Sequence, residues 1–280
     1  MSAMPESAPR RPSRAARTLA VLACVLLALP PGASRAGTDT GEGEIPGKTF
    51  AAYEFGWYPI AFVDHFVDPL GDAWEVAGPG SVQTQNGMLT ILSSGDETTG
   101  TTLRGEAHAT GRWEIRLRAR RYESAHTDFT VAAELVPAGH QGYECGARNI
   151  GFASFRPTGH RARFHIRNLP DQSYGRQLRA MNLRNDYWHT YGVEVTPNRI
   201  SWFVDGEVRA TERRPEALSG IPMAFRLQLQ AVPGETMNHS RLQVDTVRYF
   251  TLQSPNDLPV RAPHPLLGTY DGACPETSAR

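Results

Sequence analysis

The side chains with chemical reach in this sequence are a few isolated carboxylates, a set of regularly placed arginines and three thiols. Glu134 sits inside the apolar run "TVAAELVP", and Glu144 stands nearby in a stretch rich in turn residues. A glutamate held in an apolar strand needs a hydrogen-bonded cation, and Arg148 or Arg163 is near enough in sequence to provide one. Arg116, Arg118, Arg163 and Arg167 occupy the polar positions of alternating runs, with Arg226 in a similar place. Such a face is either solvated or, if it lines a cleft, suited to planar anions, which guanidinium groups engage through paired hydrogen bonds. The nine histidines are scattered without the paired spacing of a zinc site. The formal net charge is zero, so no global positive field points to nucleic acid.

The amino terminus carries its own instruction. Arg10, Arg11, Arg14 and Arg17 precede the apolar run "TLAVLACVLLALP", which leads into "PGASRA". A charged leader, a short apolar core and small residues before a cut are the marks of an export signal, here spanning residues 1–36 and ending at Ala36. The run is short for a permanent membrane helix, so the mature chain is expected to be extracytoplasmic, secreted or bound to the cell envelope, with no membrane span. Removal of the leader leaves Cys145 and Cys274, an even pair and a disulfide candidate in an oxidising compartment.

Positioning falls to β-strands. "RWEIRLRAR" places Trp113, Ile115, Leu117 and Ala119 on one face, and "RARFHIRN" and "AFRLQLQAV" alternate likewise. "ISWFVDGEVRA" reads as two strands joined at Asp205-Gly206, a strong hairpin signal. Residues 37–56 read as a Gly- and Thr-rich linker, 57–252 as one β-sandwich domain and 253–280 as a proline-rich tail that Cys274 would tie down.

The order of these strands resembles glycoside hydrolase family 16. "GEAHATGRWEIRLRAR" is similar to the strand pair that precedes that family's catalytic strand. "WHTYGVEVTPNRISWFVDGEVRA" is the most specific match, and "VDHFVDPLGDAW" and "LQVDTVRYFTL" resemble the opening and closing phrases. The resemblance implies an all-β concanavalin A-like jelly roll of two curved antiparallel sheets, with a polysaccharide cleft on the concave face.

It also implies a catalytic Glu-x-Asp-x-x-Glu motif, which falls on "CGARNIGF", Cys145 to Phe152. Family chemistry needs two carboxylates about 5 Å apart, one as nucleophile and one as acid/base. The aligned positions are Ala147, Asn149 and Phe152, and no acidic residue lies between Cys145 and Arg156. Glu134, on the neighbouring strand and about opposite Ala147, is read as a paired residue, a ligand-binding carboxylate or a relocated catalytic group. Tyr143, Asn149 and Phe152 join it as expected ligand contacts, Tyr143 as a stacking platform for a sugar ring and Phe152 as an apolar cleft face or a filler. Trp188, His189 and Trp202 are read as packing residues. Some relatives hold structural calcium; Asp245 survives from that set, but His65 stands where the opening phrase has Glu, and one carboxylate is a poor oxygen cage. The expected function is binding of a polysaccharide or cell-envelope glycan with catalysis lost. The alternatives are a hydrolase using displaced carboxylates such as Glu134, and a structural envelope protein without a sugar ligand.

Overall fold

The computed structural model describes residues 49–139, 148–168, 171–184 and 186–270. The expected signal peptide, Tyr143, Cys145, Ala147 and Cys274 lie outside the described residues, and so does Glu144. The described residues form a two-layer β-sandwich of two eight-stranded antiparallel sheets. In chain order the elements are α1 (Ala51–Glu54), β1 (Ile60–Asp64), β2 (Trp74–Ala77), β3 (Ser81–Thr84), β4 (Leu89–Gly95), β5 (Thr99–His108), β6 (Gly111–Arg121) and β7 (Thr130–Pro137). There follow β8 (Ile150–Phe155), β9 (Arg161–Asn168), β10 (Gln172–Arg179), β11 (His189–Thr196), β12 (Arg199–Val204), β13 (Glu207–Glu212), β14 (Met223–Gln230), β15 (Met237–Phe250) and β16 (Leu266–Thr269). The first sheet runs β13-β12-β11-β6-β15-β4-β3, with β1 also paired to β15. The second runs β16-β10-β9-β8-β7-β14-β5-β2.

The alternation seen in the sequence decides which residues meet between the layers. Trp113, Ile115 and Leu117 of β6 face Phe164, Phe225 and Leu227 of the second sheet in one continuous buried core. Full burial of each large apolar side chain contributes roughly 1.5–3 kcal/mol. The β12–β13 hairpin forms at Asp205-Gly206, whose φ angles of 49° and 79° are those of a tight turn with both central residues left-handed. Asp205 tolerates that conformation because its carboxylate has local work. It accepts from the Thr190 backbone N–H at 3.0 Å and bonds the His189 ring at 2.7 Å. His189 and Trp202 are buried, as expected of packing residues. Trp188 stacks beneath the guanidinium groups of Arg116 and Arg118 at 5.1 and 4.5 Å.

Both flanks of the domain belong to the fold to a greater extent than their composition suggests. The end of the expected linker is α1, and Ala51, Ala52, Phe55 and Trp57 pack with Phe203 and Phe250 on the first sheet. Glu114 fastens the helix, accepting from the Ala52 N–H at 3.2 Å and from Arg248 at 2.8 Å. The proline-rich tail crosses the same face. Asn256 accepts from the Trp57 indole N–H at 2.7 Å and donates to Glu194 at 2.7 Å. The chain then reaches the second sheet and adds β16 to the edge of β10. Proline blocks helix but leaves carbonyl acceptors free, and Arg213 and Arg214 donate to the carbonyls of Val260 and Pro265.

Candidate functional site

Strand β8 supplies the decisive geometry. Its sequence "IGFASF" breaks strict alternation, since the apolar residues fall at 150, 152, 153 and 155. The break is a β-bulge: Ala133 pairs with Ala153, but Glu134 pairs with Gly151. Phe152 and Ala153 therefore both turn into the core, where each is fully buried. The Trp202 indole N–H reaches from the first sheet to the Gly151 carbonyl at 3.1 Å, satisfying a backbone acceptor beside the bulge. On the outer face remain Asn149, Gly151 and Ser154.

These three residues have the 0, 2, 5 spacing of Glu-x-Asp-x-x-Glu. The outward triplet is thus displaced by two residues from the expected Ala147, Asn149 and Phe152. Phe152 must be corrected as a ligand contact: its ring lies against Phe225 at 5.6 Å between the sheets. Glu134 stands opposite Gly151 rather than Ala147. Asn149, Gly151 and Ser154 supply no carboxylate.

Two cross-strand rows define the outer face of the second sheet. The central row reads Glu75, Thr102, Arg226, Glu134, Gly151, His165 and Gly175 from β2 to β10. Glu134 is buried and held by three donors: Asn149 Nδ2 at 2.8 Å, Arg226 Nη2 at 3.2 Å and Gln230 Nε2 at 2.8 Å. Its cation is thus Arg226 on β14, not Arg148 or Arg163. Burial pushes the Glu134 carboxyl up, but Arg226, with His165 and Arg167 farther off, outweighs it and holds the group below the usual carboxylate range. His165 occupies the volume over Gly151. A Cβ built at Gly151 would fall 2.2 Å from His165 Cε1, so the ring requires glycine beneath it. Burial lowers the His165 pKa to about 4, against the opposing pull of Glu134, and leaves the ring neutral near pH 7.

Carboxylate spacing limits what this row can do. Glu75 shares the row with Glu134, but three strand spacings of about 4.8 Å put the two roughly 14 Å apart. Retaining and inverting hydrolysis need separations of about 5–5.5 Å and 6.5–9.5 Å. Glu75 is in any case bonded to Arg104 at 2.6 Å. Beyond a bulge in β5, Glu106 bonds His108, whose ring stacks on Tyr249.

The neighbouring row reads Gly100, Gln228, Ala132, Ser154, Arg163 and Gln177. Its short central residues let a ligand approach the sheet closely. Sequence reading missed Ser154, His165 and Gln177 as constituents of this face; the apolar pair Phe152-Ala153, which marks the bulge, was the available signal.

The matching family model covers residues 73–248 and is that of the glycosyl hydrolases family 16. The chain belongs to family 16. No curated protein matches it significantly. Among solved structures it is similar to a laminarinase from Flavobacterium sp. UMI-01 (14% identity, TM-score 0.56, covering 69% of this chain and 100% of that one). It is also similar to the catalytic domain of an endo-1,3-beta-glucanase from Thermotoga petrophila RKU-1 (14%, 0.56, 74% and 100%). A third is the laminarinase from Rhodothermus marinus (17%, 0.53, 69% and 96%). At these identities the structural likeness speaks for the fold, the concanavalin A-like jelly roll.

The calcium set of some family 16 members does not fit this chain. Asp245 is bonded to Arg116 at 2.9 Å, and that guanidinium repels a divalent cation from the same carboxylate. Among the described residues no group of three or more His, Cys, Asp or Glu side chains gathers to hold a metal. Among them, too, no helix is long and apolar enough to cross a membrane.

Proposed function

We propose that this family 16 protein is an exported glycan-binding protein that does not cleave its ligand. The observation that carries the reading is the outward triplet Asn149, Gly151 and Ser154, which replaces two catalytic carboxylates and their tuning aspartate with residues unable to attack or titrate. Among the described residues the nearest acidic side chain on that face, Glu134, is bonded by three side chains that keep it ionised and buried. In this reading Glu134 acts by positioning Arg226, Gln230 and Asn149 beneath a bound polysaccharide. Tyr143, in the segment before β8, is the further contact, and Asn149, fully buried, acts through its bond to Glu134. The leader at residues 1–36 delivers the chain to an extracytoplasmic compartment, where Cys145 and Cys274 pair and cell-envelope or soluble polysaccharide is the partner.

The test is incubation of the mature protein with β-1,3- and β-1,4-glucans, galactans and acidic polysaccharides, with reducing ends measured against buffer controls. Binding without release of ends is expected. Turnover that disappears in Glu134→Gln, with the fold intact by circular dichroism, would establish instead a hydrolase with a displaced carboxylate. Failure to bind any polysaccharide would favour a structural envelope protein.

A further inference from the structure

The outer face of the second sheet ends in a cavity of about 420 Å³ below the β8–β9 turn, lined by Ser154, Phe155, Arg156, Arg161, Arg163 and Gln177 among others. Ser154, Arg163 and Gln177 are cross-strand neighbours in one row, so β8, β9 and β10 together form its floor. Arg161 lies two residues along β9 on the same face, and Arg156 comes from the turn. All three arginines are exposed, and among the described residues none of them is ion-paired.

Arg179, cross-strand from Arg161, is likewise exposed and without an ion pair among the described residues, but other arginines nearby are arranged otherwise. On the same face Arg226 is paired with Glu134, and Arg104 with Glu75. Across the β8–β9 turn a second cavity holds Arg120, Arg121 and Arg184. There Arg120 faces Asp186, Arg121 is paired with Asp128, and Arg184 donates to the Thr158 carbonyl at 3.0 Å. A chain of zero net charge has thus concentrated three uncompensated cations around a single pocket. Guanidinium groups crowded in this way repel one another, and an anion entering between them relieves the repulsion while accepting charge-assisted hydrogen bonds. The neutral donors and acceptors of Ser154 and Gln177 suit hydroxyl groups, and the volume lies at the small end of the range of about 300–1,000 Å³ found for ligand sites.

We propose that this pocket binds the acidic unit of an anionic polysaccharide, a uronic carboxylate or a sulfate ester, while the neutral part of the chain crosses the row of Ala132 and Ser154. The proposal rests on the glycan-binding reading and specifies its ligand. Specificity comes from charge, since both forks of Arg161 and Arg163 go unsatisfied by a neutral glucan.

The experiment is titration of the mature protein with polygalacturonate, a sulfated galactan and the neutral glucan laminarin, at low and at high salt. At least one acidic polymer should bind more tightly than laminarin and weaken as salt rises, and the two acidic arms distinguish carboxylate from sulfate. Arg161→Gln and Arg163→Gln should each weaken acidic binding about tenfold, and Arg163→Lys by less, because it keeps charge without the fork. Arg209→Gln, which removes an equal charge from β13, should leave binding unchanged, and unaltered thermal melts will establish that the variants fold. Equal or tighter binding of laminarin, or acidic binding indifferent to Arg161 and Arg163, overturns the pocket and leaves the broader binding reading standing. Binding of none of the three polymers overturns both.

Discussion

On the outer face of the first sheet, arginine and carboxylate come in matched sets. Glu194 accepts from Arg112 at 2.8 Å and from Arg199 at 2.6 Å, Glu114 accepts from Arg248 at 2.8 Å, and Asp245 from Arg116 at 2.9 Å. Much of this face is sealed by α1 and by the tail, so its charges are buried and must be paired. On the second sheet the centre follows the same rule at Glu134 and Arg226, but the end near the β8–β9 turn abandons it. The difference separates structural from available charge. A paired arginine beneath covering chain holds the fold together, whereas an exposed and unpaired cluster around a cavity is free to meet an anion.

The largest effect on the first sheet is expected at Glu194, whose fully buried carboxylate gathers Arg112, Arg199 and Asn256. Glu194→Ala strands Arg112, itself buried, and should cost about 3–5 kcal/mol in chemical denaturation, with loosening of the tail. Glu134→Gln keeps shape but removes the charge opposite Arg226, which is partly exposed. A loss of about 2–3 kcal/mol is expected, with weakened glycan binding.

The pH dependence of the second sheet is sharper still in its origin. His165 faces Glu134, Arg163 and Arg167, and its folded pKa of about 4 lies below the ordinary 6.5. Between those values the unfolded chain binds the proton and the folded chain does not, so stability rises with pH across the window and falls as pH drops through it. Glu134, depressed below its ordinary value, contributes in the same direction at the acid end. The share from His165 should be roughly 2–2.5 kcal/mol between pH 7 and pH 4.5, and His165→Gln should flatten that part of the curve. The smallest stability effect belongs to Arg163→Gln, within about 0.5 kcal/mol, since an exposed arginine without an ionic partner supports little of the fold. A large loss there would show that the cluster is structural after all.

Much of this architecture was legible in the residues. Period-two runs such as Trp113 to Ala119 name their buried face directly, and Asp205-Gly206 can hardly be anything but a turn. Family 16 membership was readable because its phrases sit on strands whose order the fold requires. The site was harder. Register across β8 depends on where a bulge inserts its extra residue, and a shift of two positions moved the outward triplet to Asn149, Gly151 and Ser154 and turned Phe152 inward. The partner of Glu134 was hidden for a related reason: Arg226 is 92 residues away in sequence and adjacent only across a sheet. Strand parity alone likewise grouped Arg116 and Arg118 with Arg163 and Arg167, although the first pair lies on the other sheet. Composition is silent on the flanks, because a Gly- and Thr-rich stretch gives no warning that Ala51, Ala52 and Phe55 pack against Phe203 and Phe250.

Retention of an intact glycan on the second sheet is best examined by a crystal structure of the mature protein soaked with an acidic oligosaccharide. An uncleaved chain is expected over Ala132, Gly151 and Ser154, with one acidic substituent between Arg161 and Arg163. A chain broken beside Glu134, or a ligand seated only on the first sheet, would contradict it.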